Sequence, residues 1–199
     1  MIKTATPAVR GVQTPLLGRL FDAIKEDQRL VVVDFGTGSS AILEALQTHR
    51  VRLDAMAMAE QLPGWTVLET QEERADALAN YFKGFQLESA DWVLCWGLLN
   101  YLDAPLMGQL AQQLLPHLKP QARIHALIEY SSSTMPATPA RYQLSFEEGK
   151  AHLSMESSST TIASPRYTPK RLEGMLTGLK TENTILLSNG MQEYIFSRA

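Results

Sequence analysis

The sequence has one cysteine, Cys95, and four scattered histidines, His49, His117, His125 and His152. A single thiol cannot close an internal disulfide, and no CxxC, HxH or HExxH spacing exists, so no metal site is expected. Positive charge is also in short supply. Eighteen Lys and Arg stand against 21 Asp and Glu, for a net charge of −3, which argues against the broad basic field that nucleic-acid binding needs. No apolar run approaches the ~20 residues of a membrane span. The opening stretch MIKTATPAVRGVQTP lacks the apolar core of a signal peptide. These absences leave a cytoplasmic protein with no membrane partner as the expectation. Its 199 residues suit one domain (1–199) with a sizeable core.

The apolar pattern is that of a strand–helix alternation. Residues 1–12 read as a polar N-terminal arm. Leu16, Leu17, Leu20, Phe21 and Ile24 then mark a helical face, with Thr14 as N-cap and Pro15 in the first turn. Arg29 to Phe35 is a short continuous apolar run, as expected of a strand buried on both faces. A helix carrying Ile42, Leu43 and Leu46 follows, then a strand ending at Asp54. Glu69 to Phe82 reads as a helix, DWVLCWGLL as a buried strand, the segment after Asp103 as a helix, and RIHALIEY as a further strand. The 131–167 stretch reads as an inserted loop and hairpin, a candidate lid. The closing TILLSNGMQEYIFSR reads as two strands around Asn189-Gly190, a strong hairpin signal. No internal repeat interrupts this order. Alternation of this kind predicts an open α/β sheet with helices on both faces.

The stretch VVVDFGTGSS, Val31 to Ser40, is the most informative. Ligands in open α/β sheets sit at the carboxyl ends of strands, and glycines there let a ligand approach the backbone. Gly36 and Gly38 follow Asp34 directly, and the next strand ends in Asp54, 18 residues past Gly36. An acid at about that distance is placed to accept hydrogen bonds from a ribose. A plain strand-to-helix turn would use the same glycines. An oxidoreductase binding a dinucleotide is disfavoured, because GTGSS does not complete GxGxxG.

VVVDFGTGSS resembles the first motif of the class I S-adenosylmethionine-dependent methyltransferases, an acid-x-Gly-x-Gly-x-Gly loop. Asp34, Gly36 and Gly38 match, and Ser40 stands at the third glycine. VRLDA (51–55) resembles the second motif, and ADWVLCWGLLNYLD the fourth strand and the helix start after it. LLPHLKPQARIHALI resembles the helix-to-strand stretch written with Leu-Lys-Pro-Gly-Gly, with Gln121 and Ala122 at the glycines. The closing NGMQEYIFSR resembles the terminal hairpin. No clear strand and acid for a third motif stand between residues 65 and 90; Trp65 to Leu68 is a very short candidate. The resemblance covers roughly residues 13–130 and 168–198.

It implies a Rossmann-like fold: a mostly parallel seven-stranded sheet with a terminal antiparallel hairpin. It implies S-adenosylmethionine as cofactor, held by Asp34, Phe35, Gly36, Thr37, Gly38, Asp54, Ala55, Trp96 and Gly97, with Met56 beside the adenine. The expected activity is methyl transfer to a small molecule or protein group. The alternative is a catalytically inactive relative acting as a binding or regulatory partner. Candidate catalytic residues at the strand ends are Tyr101, Glu129 and Tyr130, with Asn100 read as a cap and Arg141-Tyr142 as hairpin residues that close over substrate. Cys95 and His125 read as core residues.

Overall fold

The computed structural model describes residues 10–25, 27–36 and 40–199. Its elements are β1 (Arg10–Gln13), α1 (Pro15–Asp22), β2 (Arg29–Asp34), α2 (Ser40–Ala45), β3 (Arg50–Ala55), α3 (Leu62–Thr66), α4 (Gln71–Lys83) and β4 (Ala90–Trp96). They continue with α5 (Ala104–Leu114), β5 (Leu118–Glu129), β6 (Thr134–Pro136), β7 (Arg141–Glu147), β8 (Lys150–Glu156), β9 (Thr161–Ala163), α6 (Pro169–Met175), β10 (Leu179–Leu186) and β11 (Met191–Arg198).

The main sheet runs β10-β11-β5-β4-β2-β3. Strands β2 to β5 are parallel, and β11 lies antiparallel to both β5 and β10. Alternation along the strands divides the core. Val31, Val33, Val93, Cys95, Ile124 and Ala126 pack under α3 to α6. Leu30, Val32, Trp92, Leu94, Trp96 and Leu127 face α1, α2 and a second, three-stranded sheet ordered β1-β8-β7. The result is a helical layer, a sheet, and a mixed covering layer.

Among the described residues the main sheet has six strands, where seven were expected. Segment 56–89 supplies none. Trp65, the best strand candidate there, instead lies in α3 and packs edge-on against Tyr81 at 5.7 Å. Thr70 then begins α4 with a reciprocal capping box to Glu73, at 3.0 and 3.1 Å. Among the described residues, β3 pairs only with β2.

Two stretches read as irregular carry strands. Of the expected arm, residues 10–13 form β1 and pair with β8. Loop segments 131–140 and 157–165 meet as the short β6–β9 pair. The 131–167 insertion therefore folds back as the covering layer over the main sheet.

That layer is anchored by a buried carboxylate. Glu193 on β11 accepts hydrogen bonds from the Leu16 and Leu17 N–H groups at 2.9 and 2.8 Å. Its Oε1 also lies 3.0 Å from His125 Nε2, and both side chains are fully buried. An acid at the first turn of α1 satisfies amides that no helical carbonyl can reach. It ties α1, and so β1, to the sheet.

Candidate functional site

The carboxyl ends of β2 and β4 meet at one carboxylate. Asp34, the last residue of β2, is fully buried. Its Oδ1 accepts the Gly36 N–H at 2.8 Å and the Trp96 indole N–H at 2.6 Å. Its Oδ2 is buried and has no hydrogen-bond partner among the described residues. Burial raises the Asp34 pKa, and the bonds from Trp96 and Gly36 oppose that rise.

Trp96 stands in the left-handed region at φ 48°, where β4 slips its register against β5. For a bulky side chain that conformation is a true outlier. It turns the indole onto Gly36: a Cβ at that position would lie 2.7 Å from Trp96 Cδ1. An indole face stacks on Tyr142 of β7, at 5.4 Å between centroids and 14° between planes. His125 meets the indole edge-on at 6.0 Å. Gly97 is needed here as well, since a Cβ there would lie 2.5 Å from the Tyr142 hydroxyl oxygen.

Beyond Tyr142 lies a cavity of about 620 Å³, within the ~300–1,000 Å³ range of small-molecule pockets. It sits between the ends of β4 and β5 and the covering segments. Gly97, Tyr101, Glu129, Met135, Tyr142 and Met155 are among its walls. Asn100 shapes the rim from within. Its amide donates to the Gly97 and Leu127 carbonyls, and its oxygen accepts the Glu129 N–H at 2.9 Å.

The expected site residues are therefore only partly assembled. Asp34, Gly36, Trp96 and Gly97 converge. Thr37 and Gly38 lie outside the described residues. Phe35 is buried in the helical core against Phe82, and only its backbone belongs to the turn. Ala55 is exposed opposite Asp34, and Met56 is buried. Asp54 pairs with Val33, not with Asp34, so it shares Val33's face of the sheet. Both its oxygens lie 3.1 Å from Arg52 Nε. Arg52 in turn reaches Glu88.

Of the catalytic candidates, Tyr101 and Glu129 line the cavity. The Tyr101 hydroxyl lies 2.9 and 3.0 Å from the Pro136 and Thr138 carbonyls and is shared between them. Burial, with the Glu129 charge behind it, pushes its pKa up, which keeps the hydroxyl protonated as a donor to the 136–138 segment. Tyr130 contributes a carbonyl that accepts from Arg166.

Sequence reasoning missed Glu193, although an acid among the inward positions of MQEYIFSR signals a buried partner. It also missed the cavity walls around Met135 and Ser157–Ser159, which read as linker by composition. No helix among the described residues is long and apolar enough to cross a membrane, and no three His, Cys, Asp or Glu side chains among them group as metal ligands.

No family model and no curated protein matches the sequence. Solved structures do match. The pyocyanin biosynthetic protein PhzM aligns with a TM-score of 0.50 and 14% identity, over 92% of this chain and 54% of that one. The mitomycin 7-O-methyltransferase MmcR aligns at 0.48 and 17%, over 92% and 52%. The glycopeptide N-methyltransferase MtfA, complexed with S-adenosyl-L-methionine, aligns at 0.48 and 11%, over 92% and 93%. The chain spans about half the length of PhzM and of MmcR. The likeness is one of fold. With the parallel β2–β5 core and the antiparallel β10–β11 end, the chain shares an open α/β fold with PhzM.

Proposed function

We propose that the chain binds S-adenosylmethionine at the end of β2 and directs methyl transfer to a small molecule in the 620 Å³ cavity. The observation that carries this reading is the arrangement around Trp96. The Gly36 backbone meets the Cδ1–Nε1 edge of the Trp96 indole, Tyr142 stacks on that indole, and Tyr142 lines the cavity. The Trp96–Tyr142 pair thus links the end of β2 to the cavity.

Two features test whether the residues fit such a cofactor. Asp34 Oδ2 is a buried acceptor without a partner among the described residues, a costly state that a ligand's amino group would relieve. The bare Cα of Gly36 makes a cradle, which the indole now fills. The residues fit, provided that Trp96 turns away from Gly36. Asp34 and Gly36 would then hold the cofactor. Asp54 would reach its ribose on release from Arg52, with Ala55 beside it. When bound, the cofactor supplies an activated methyl group on sulfur. The chain itself positions the acceptor. Glu129 accepts a proton from it, and Asn100 fixes the backbone of both Gly97 and Glu129.

A second reading, a fold kept for binding without transfer, is favoured by two observations. Trp96 already packs on Gly36, and Asp54 is already paired with Arg52. Titration calorimetry with S-adenosylmethionine and S-adenosylhomocysteine separates the readings. Micromolar binding of either supports the first. No heat at millimolar cofactor sinks it.

A further inference from the structure

The main sheet ends on one side at β3, which pairs only with β2 among the described residues. The ladder shows which backbone groups of β3 face away from the sheet. The Met56 N–H donates to the Asp34 carbonyl of β2 at 2.8 Å. Backbone groups alternate sides along a strand, so Arg50, Arg52 and Asp54 also point toward β2. Val51, Leu53 and Ala55 turn their N–H and C=O groups outward. Among the described residues no hydrogen bond reaches those groups.

An open edge invites another strand, and proteins block such edges with proline, bulges, charges of one sign or a covering segment. β3 has no proline, and its register against β2 runs unbroken from Arg29–Arg50 to Asp34–Ala55. Arg52 and Asp54 share one face and carry opposite charges, 3.1 Å apart. The Arg52 guanidinium spends Nε on Asp54 and one bond from each terminal nitrogen on Glu88 and the Gln86 carbonyl. Its remaining donors can serve a further carboxylate.

We infer that β3 pairs with β3 of a second copy of this chain, antiparallel about a two-fold axis at Leu53, and joins the two main sheets into one. In this register Leu53 faces Leu53, and Val51 faces Ala55 on both sides of the axis. These are the outward residues, so each pair exchanges its N–H and C=O bonds. Arg52 lies opposite Asp54 of the second copy in a pair without backbone bonds, where side chains come closest. The same contact is made twice, as a two-fold interface requires. A slip of two residues either way shortens the ladder and sets Arg52 against Arg52 or Asp54 against Asp54. A slip of one sets outward groups against inward ones. The inference is independent of the cofactor reading.

The test is hydrogen exchange on the full chain, read by mass spectrometry with residue-level fragmentation, from low micromolar to submillimolar protein. Sedimentation velocity on the same samples gives the oligomeric state. The expected result is a monomer–dimer equilibrium in which the Val51, Leu53 and Ala55 amides slow about tenfold or more as the dimer forms, while those of Arg52 and Asp54 are slow throughout. A chain that stays monomeric overturns the inference. So do outward amides that exchange fast in a dimer, or that are already protected in the monomer by a segment of their own chain. Charge variants test the register. Arg52→Asp and Asp54→Arg each set like charges across the axis, and each should weaken self-association about tenfold or more. Mixed together they should associate again, because position 52 of each variant then faces an opposite charge at position 54 of the other. A mixture that associates no better than either variant alone overturns the inference. Exchange on the unmodified chain is decisive even if a variant misfolds.

Discussion

Trp96 and Asp34, 62 residues apart, share one short hydrogen bond: the indole N–H donates across 2.6 Å to the same oxygen that orders the Gly36 turn. The bond fixes the indole over the glycine. It makes Trp96 both a packing residue and the group that a ligand at Gly36 has to displace.

Trp96→Ala should therefore have opposite effects on stability and on binding. Removing a 3%-exposed indole costs about 3–5 kcal/mol of stability, as buried Trp truncations do. The binding-competent arrangement no longer requires the ring to move, so the apparent Kd for S-adenosylmethionine falls. Urea denaturation and calorimetry check the two parts. A variant that folds and binds more weakly than the unmodified chain would show that the indole supports the ligand.

Asp34→Asn separates function from stability in another way. The folded-state pKa of Asp34 lies above its ordinary value of 3.8 because the carboxyl is buried. The folded chain thus holds the proton more tightly than the unfolded chain does. The ionised group disfavours folding at neutral pH, and the penalty is relieved as pH falls through the raised pKa. An asparagine can keep both hydrogen bonds to its oxygen and carries no charge. The variant is expected to melt at or above the unmodified chain at pH 7, with the difference narrowing on acidification, and to lose cofactor affinity. A lower melting temperature at pH 7 and unchanged affinity would contradict the proposed role.

Glu193→Ala removes the acid that joins α1 to the sheet. It strands the Leu16 and Leu17 amides and leaves His125 Nε2 without its partner. Leaving two buried amide N–H groups unsatisfied costs about 1–3 kcal/mol each. Glu193→Gln keeps the shape and should cost less. Thermal melts order the three proteins. A Glu193→Ala variant as stable as the unmodified chain would mean that α1 is held by its apolar face alone.

The sheet and its helices were legible because burial writes itself as pattern. Three valines before Asp34, the capping residue Asp103 and the Asn189-Gly190 hairpin each force a local structure. The missing strand was not foreseen: the sequence shows no clear strand and acid between residues 65 and 90, yet the resemblance led to an expectation of seven strands. The site was only half legible. Asp34 and Gly36 are local to one turn, so sequence spacing found them. The Trp96–Tyr142 stack and the Asn100–Glu129 bond join residues 46 and 29 positions apart, and no periodicity records such meetings. Asp54 misled for a related reason. Spacing placed it at a strand end but could not show that Arg52, two residues earlier, turns to meet it.

The most direct measurement of the central claim follows Trp96 itself. The chain has three tryptophans, so protein labelled with 5-fluorotryptophan gives three fluorine resonances, and the one lost in Trp96→Phe is assigned to Trp96. Titration with S-adenosylmethionine should move that resonance to saturation at micromolar ligand and disturb those of Trp65 and Trp92 much less. A Trp96 resonance unchanged at millimolar cofactor would contradict the claim that the Gly36 turn is a cofactor site with Trp96 across it.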